Sequence, residues 1–121
     1  NVEDITQAFS VIDVVAIPSH SEGLPVVLLE ALSLGKRVVA MNVGAIPEVL
    51  EGGCGELVPR EDYDGFAQRL ARVLRLPPAE VVSLSVAARQ RVEERFSEAV
   101  MTDRYEALAR ELVSESVSKD R

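Results

Sequence analysis

Glu22 and Glu30 stand eight residues apart, with Ser19, Ser21, Gly23 and Pro25 around the first and the apolar run Val26-Val27-Leu28-Leu29 leading to the second. These residue types suit a ligand that carries both hydroxyls and phosphate. One carboxylate can accept from two adjacent ribose hydroxyls. Serine hydroxyls add donors, and a glycine lets the backbone come close to a ligand. If Pro25 opens a helix, the free N–H groups and positive dipole end of that helix form a ready phosphate site. A carboxylate at Glu30, inside an apolar run, needs partners if it is buried. Spacing alone leaves plainer readings open: Glu22 as an ordinary loop acid, and Glu30 on a solvent-facing helix edge among the chain's fourteen glutamates. His20 reads as a solvent-facing loop histidine. Cys54, flanked by acids in Glu51-Gly52-Gly53-Cys54-Gly55-Glu56, reads as an inert turn cysteine rather than a nucleophile. No cluster with metal-ligand spacing is visible.

The elements that must position these residues follow from periodicity. Val2, Ile5 and Phe9 recur at helical spacing, predicting a short amphipathic helix over Val2 to Ser10. Val14-Val15-Ala16-Ile17 is a continuous β-branched run, predicting a buried strand that Pro18 ends. Pro25 suits the first turn of the next helix, which runs to Leu34, is apolar nearly all round and is therefore expected to be buried, with Gly35 as its C-terminal cap. Val38-Val39-Ala40-Met41 predicts a second buried strand. Val43 to Glu48 is a loop leading into a short helix through Leu50. A glycine turn at Gly52, Gly53 and Gly55 precedes a third strand over Glu56 to Pro59. Beyond Arg60 the pattern is helical. One stripe holds Tyr63, Phe66, Leu70, Val73 and Leu74; Pro77-Pro78 breaks the chain; a second holds Val81, Leu84, Ala88, Val92 and Phe96. Ser97 can cap a last helix with Val100, Tyr105, Leu108, Ala109 and Leu112 inward, and 114–121 reads as a polar, fraying tail. Helices alternating with strands predict an α/β fold with a Rossmann-like parallel sheet, ending in several helices. Ligands of such sheets sit beyond the carboxyl ends of the strands, which is where the Pro18 to Leu24 loop falls. Three strands are few for a sheet buried on both faces, so further strands are expected upstream.

Composition sets outer limits. The chain has 121 residues, enough for one small domain or most of one, with 47% apolar residues, 4% aromatic residues and no Trp. Its core must come from Val, Leu, Ile and Ala. A net charge of −7 argues against a nucleic-acid partner, since phosphate backbones need a Lys/Arg surplus. One cysteine permits no internal disulfide and favours a reducing compartment. No run reaches the ~18–20 apolar residues of a membrane span, and the polar start Asn1-Val2-Glu3-Asp4 is not a signal peptide.

The literal string Pro18-Ser19-His20-Ser21-Glu22-Gly23-Leu24-Pro25-Val26-Val27-Leu28-Leu29-Glu30-Ala31 resembles the signature of the retaining glycosyltransferases of group 1, or family 4, which have the two-domain GT-B fold. Three further stretches are similar to that family's motifs in the same order: Gly35-Lys36-Arg37-Val38-Val39-Ala40, Gly44-Ala45-Ile46-Pro47-Glu48-Val49, and Gly52 to Pro59. The closing Arg91 to Ser97 is also of the family's type. The resemblance implies that residues 1–113 are part of the carboxy-terminal, nucleotide-sugar-binding domain, with the acceptor domain and the first part of the donor domain lying upstream. It implies a UDP-, GDP- or ADP-sugar donor, no cofactor and no metal, and transfer of a hexose to an acceptor hydroxyl with retention. A glycan or lipid-linked acceptor, a role in glycan, polysaccharide or glycolipid biosynthesis, and a cytoplasmic place, peripheral at the inner membrane face, follow from family habit.

Carried over residue by residue, the resemblance implies that Glu30 binds the ribose hydroxyls. Glu22, at the catalytic centre, would contact hydroxyls of the donor sugar and is not read as a nucleophile. Ser21, Gly23, Leu24 and Val26 would meet the sugar and pyrophosphate, and Gly44 and Ala45 would lie beside the donor. Two departures from the pattern stand out: Arg37 replaces a usual Pro, and Ala45 replaces a second Gly in a loop where φ > 0 would be costly for it. The alternative is a non-catalytic or truncated nucleotide-sugar-binding module, and the isolated 121 residues are expected to be inactive.

Overall fold

The computed structural model describes residues 5–21, 23 and 25–119. The element order is α1 (Ile5–Ser10), β1 (Val14–Ile17), α2 (Val26–Ser33), β2 (Arg37–Met41), α3 (Ile46–Leu50), β3 (Glu56–Val58), α4 (Tyr63–Leu74), α5 (Pro78–Arg95) and α6 (Glu98–Lys119). The sheet is wholly parallel in the order β1-β2-β3, with Val15 opposite Val38, Ala40 opposite Leu57, and Met41 opposite Val58. Val2, read as part of the first helix, lies outside the described residues; Phe9 of α1 is in the core.

The core forms around β2. Val38, Val39, Ala40 and Met41 are all buried although their side chains alternate in direction, so the strand is covered on both faces. Helix α4 crosses all three strands, while α2 and α5 pack on each other and on β2. Leu28, Ala31 and Leu32 of α2, Ile46 and Val49 of α3, Val73 of α4 and Ala88 of α5 complete it.

Helix ends are set by local chemistry. The Gly35 N–H donates to Leu32 O at 2.9 Å, and the Lys36 N–H to Ala31 O at 2.9 Å. These two bonds wrap the end of α2 around Gly35, whose φ of +68° suits glycine. Asp62 caps α4 by accepting from the Gly65 N–H at 2.9 Å, and Ser97 Oγ accepts from the Val100 N–H at 3.3 Å at the head of α6. Pro77 and Pro78 open α5.

Several sequence expectations change. Pro25 is the cap residue before α2, in extended conformation (ψ 111°), rather than part of its first turn. Helix α2 is not buried all round: Val26 is 66% and Val27 46% exposed, because only one side of the helix meets β2 and α5. Strand β1 is half-buried with Ala16 exposed, since it is an edge of the sheet. Tyr63 and Leu74 leave the inward stripe of α4 because they sit at its two ends, beyond the strands that bury Phe66 and Val73. The inward stripe expected on α6 is exposed at Tyr105 (67%), Leu108 (51%), Leu112 (58%) and Ala109, because α6 packs only near its start, against α5. The helix also continues to Lys119, into the segment read as a fraying tail.

Candidate functional site

The loops that follow β1 and β2 meet at the carboxyl edge of the sheet. The Ala45 N–H donates to the Gly23 carbonyl at 3.4 Å, which ties the β1–α2 loop to the β2–α3 loop. Gly23 is exposed, and a Cβ placed on it would meet nothing within 4 Å, so its backbone is open to a ligand. Gly44 carries the turn with φ +55°, a left-handed conformation that glycine takes without strain. Ala45 has φ −85° and ψ −1° at the head of α3. The alanine that stands for a second glycine therefore meets no positive-φ demand; that demand falls on Gly44.

The start of α2 faces the same edge. Pro25 has no N–H, Leu28 N–H bonds Pro25 O at 3.0 Å, and Leu29 N–H reaches the same oxygen at 3.4 Å. The N–H groups of Val26 and Val27 find no acceptor among the described residues. These are the unsatisfied donors at the positive end of the helix. Glu30 lies in the second turn, half-buried, and its carboxylate has no hydrogen bond or ion pair within the described residues. Ser21 is exposed. Glu22 and Leu24 lie outside the described residues. The geometry thus brings together Gly23, Ala45, Gly44 and the head of α2 at one sheet edge.

Two residues at this edge, His20 read as a solvent-facing loop histidine and Tyr63 read as part of an inward stripe, meet each other instead. Tyr63 and His20 are hydrogen-bonded, Oη to Nε2, at 2.8 Å. His20 is exposed, as its loop position suggests, but it is not free. The signal that could have found this contact is Asp62, an N-cap residue type ahead of the apolar stripe, which sets where α4 begins and so places Tyr63.

The basic residues after the motif helix work elsewhere. Arg37 Nη1 donates to Val73 O in the last turn of α4 at 2.8 Å, Nε donates to Asp13 O at 3.2 Å, and Nη2 lies 3.9 Å from Asp13 Oδ1. A guanidinium on the last carbonyls of a helix complements its negative end, which accounts for an arginine where the pattern has proline. Cys54 is buried, with Sγ 3.4 Å from Val49 O, and burial pushes its thiol above the ordinary range, against smaller lowering by its backbone hydrogen bond and Arg91. This supports the reading of an inert turn cysteine. Among the described residues no group of three or more His, Cys, Asp or Glu could hold a metal ion, and no helix is long and apolar enough to cross a membrane. An open groove of about 620 Å³, lined by residues including Arg72, Arg75 and Glu80, lies at the opposite end of α4 from Tyr63 and shares none of the site residues.

A parallel α/β sheet with glycine-bearing loops and an open helix head at its carboxyl edge is a Rossmann-like ligand-binding arrangement. The sequence profile described as "Glycosyl transferases group 1" matches residues 1–75, and the chain belongs to that family. It is 40% identical over 102 residues to the D-inositol 3-phosphate glycosyltransferase of Saccharomonospora viridis, covering 84% of this chain and 23% of that one. It is 35% identical over 99 residues to the putative colanic acid biosynthesis glycosyltransferase WcaL of Escherichia coli, covering 81% and 24%. Among solved structures, the sucrose-phosphate synthase of Thermosynechococcus elongatus superposes with a TM-score of 0.77 at 28% identity, over 89% of this chain and 27% of that one. The chain spans about a quarter of the length of these relatives.

Proposed function

We propose that these residues form the donor-binding part of a retaining hexosyltransferase that uses a UDP-, GDP- or ADP-sugar and transfers the sugar to an acceptor hydroxyl. The observation that carries this reading is the tie between Ala45 N–H and Gly23 O, which sets two exposed, glycine-bearing loops side by side next to the open head of α2. In the proposed complex, Glu30 accepts from the ribose hydroxyls, and the Val26 and Val27 N–H groups meet the diphosphate. Glu22 and Ser21 contact the sugar, and Leu24, Gly44 and Ala45 line the donor. As the glycosidic bond breaks, charge grows on the departing diphosphate; donors already fixed at a helix head stabilise it without rearranging.

The acceptor domain is proposed to lie in another part of the same enzyme. The exposed apolar stripe of Tyr105, Leu108 and Leu112 on α6 supports this, since a face of that kind is ordinarily covered. For the 121 residues alone a second reading is a module that binds without turnover, since they span about a quarter of the length of their relatives. One relative is named for D-inositol 3-phosphate and the other for colanic acid biosynthesis. The segment they share with this chain therefore goes with different reactions, and acceptor contacts are proposed to lie outside it. A role in glycan, polysaccharide or glycolipid biosynthesis, at the cytoplasmic membrane face, fits this reading.

Calorimetry with UDP-, GDP- and ADP-glucose on the full-length enzyme tests the donor site, and the anomeric coupling of the product tests retention. One of the three donors should bind, and the product should keep the donor's configuration. An inverted product removes the retaining assignment, and sugar transfer by the isolated chain removes the need for a second domain.

A further inference from the structure

Helix α3 follows the Gly44 loop without a break and is five residues long. A helix that short is not stable by itself, and the groups at its ends need partners from outside. Ile46, Val49 and Leu50 are buried and set one face of α3 against the core. Apolar packing has no direction, however, so the orientation of α3 depends on the hydrogen bonds at its ends. At the carboxyl end, Arg91 of α5 donates from Nε to Val49 O at 3.3 Å and from Nη2 to Glu48 O. Within α3, the Val49 N–H donates to Ala45 O at 3.2 Å, and at the amino end the Ala45 N–H donates to Gly23 O at 3.4 Å. Three hydrogen bonds thus run in series, Arg91 to Val49, Val49 to Ala45 and Ala45 to Gly23, from α5 through α3 to the loop after β1. Arg91 is itself held. Its side chain is 14% exposed, Nη2 pairs with Glu51 Oε2 at 3.1 Å, and the guanidinium lies 5.7 Å over the Phe96 ring. Its charge complements the negative end of α3.

We propose that Arg91 is a positioning residue for the donor: by clamping the carboxyl end of α3 it sets the angle of that helix, and with it the place of Gly44 and Ala45 against Gly23. This deepens the donor-site reading and rests on it. A tilt of α3 about its buried face swings Ala45 with it, because the helix and the loop are one continuous backbone. The fork geometry matters, since Glu48 O and Val49 O lie one residue apart and a planar guanidinium reaches both at once. A loop ordered only when the ligand arrives takes its ordering free energy out of the affinity, whereas a loop already held does not.

The test uses the full-length enzyme and whichever of UDP-, GDP- and ADP-glucose the wild type binds. Arg91→Lys should weaken that binding about five-fold, the worth of one hydrogen bond. The backbone amide signals of Gly44 and Ala45 should move in the same variant without donor. Glu51→Ala, which removes only an exposed ion-pair partner of Arg91, should weaken binding no more than about two-fold. It should move the same two signals in the same direction by less. Val73→Ala is the control for general destabilisation, since it opens a cavity under α4; it should leave donor affinity and both signals as in wild type. Unchanged affinity in Arg91→Lys, or an equal loss in Val73→Ala, overturns the proposal. Gly44 and Ala45 signals that stay in place in Arg91→Lys overturn the clamp even if donors bind. Should Arg91→Lys not fold, the signals in Glu51→Ala decide the clamp by themselves. Absence of donor binding in wild type overturns the donor-site reading, while the amide signals still decide the clamp.

Discussion

The Gly23 carbonyl accepts from the Ala45 N–H at 3.4 Å, so the two loops that bear the motif glycines are joined through backbone atoms. A backbone contact of this kind needs each segment to hold its own dihedral angles, and among the described residues of these two loops the left-handed position is Gly44, with φ +55°.

Gly44→Ala should therefore destabilise the protein by about 1 kcal/mol, the cost of a Cβ in left-handed backbone, and loosen donor binding with it. Ala45→Gly should change stability by no more than a few tenths of a kcal/mol, because glycine is at least as well suited as alanine to a helix N-cap. Urea unfolding of both variants checks the order. An Ala45→Gly variant as unstable as Gly44→Ala would show that the turn is built differently.

Glu30→Ala should leave the fold intact and weaken nucleotide binding at least about ten-fold, because hydrogen bonds to a charged group are worth about 1.5–3 kcal/mol each. Its carboxylate has no protein partner within the described residues to lose. Circular dichroism and calorimetry on the full-length enzyme make the comparison, and unchanged donor affinity removes the ribose role.

Gly35→Ala should be more damaging than either loop change. Besides φ +68°, a Cβ there would stand 2.2 Å from Ser85 Oγ and 2.8 Å from Arg89 Nε on α5. Destabilisation of about 2–3 kcal/mol is expected from the strained backbone and the crowding together. Ser85→Ala in the same background should recover the crowding due to Ser85 Oγ, but not that due to Arg89 nor the backbone part, which chemical denaturation resolves.

Arg91→Lys should destabilise by about 1–2 kcal/mol. The guanidinium spans the end of α3, with Nε donating to Val49 O at 3.3 Å and Nη2 to Glu48 O, and Nη2 pairing with Glu51 at 3.1 Å. It also lies 5.7 Å over the Phe96 ring. A lysine gathers its three donors at one point and does not reproduce the guanidinium's spread across these acceptors and the ring. A melting temperature equal to wild type would show that the fork geometry is not needed.

Cys54 should resist thiol reagents in the native state and react only on unfolding, because it is buried and its thiol is pushed upward by desolvation. The linked pH effect has a definite sign. The native thiol holds its proton where the unfolded thiol loses it, so the contribution is whole below the ordinary thiol range and declines as pH rises through it. Labelling rates compared with unfolding rates, and unfolding free energy across alkaline pH in wild type and Cys54→Ala, check both statements. Fast labelling under native conditions would contradict the burial.

What the sequence determined by itself was what short stretches of chain decide. The β-branched runs at Val14–Ile17 and Val38–Met41 became parallel strands, Gly35 ended α2, Ser97 capped α6, and four motifs in order placed the loops at one sheet edge. Propensity, capping and glycine dihedrals act within a few residues, so they can be read in one dimension. Only the tertiary structure decided which apolar faces are covered: Val26, Val27 and the α6 stripe carry the same pattern as buried residues and are exposed. Only it paired Arg37 with Val73 and His20 with Tyr63, 36 and 43 residues apart along the chain. A periodic apolar stripe states that a face is able to be buried, and a charged or aromatic residue that it is able to bond. Which neighbour arrives to do either depends on how distant elements stack, and that is fixed by the packing of the whole sheet and its helices.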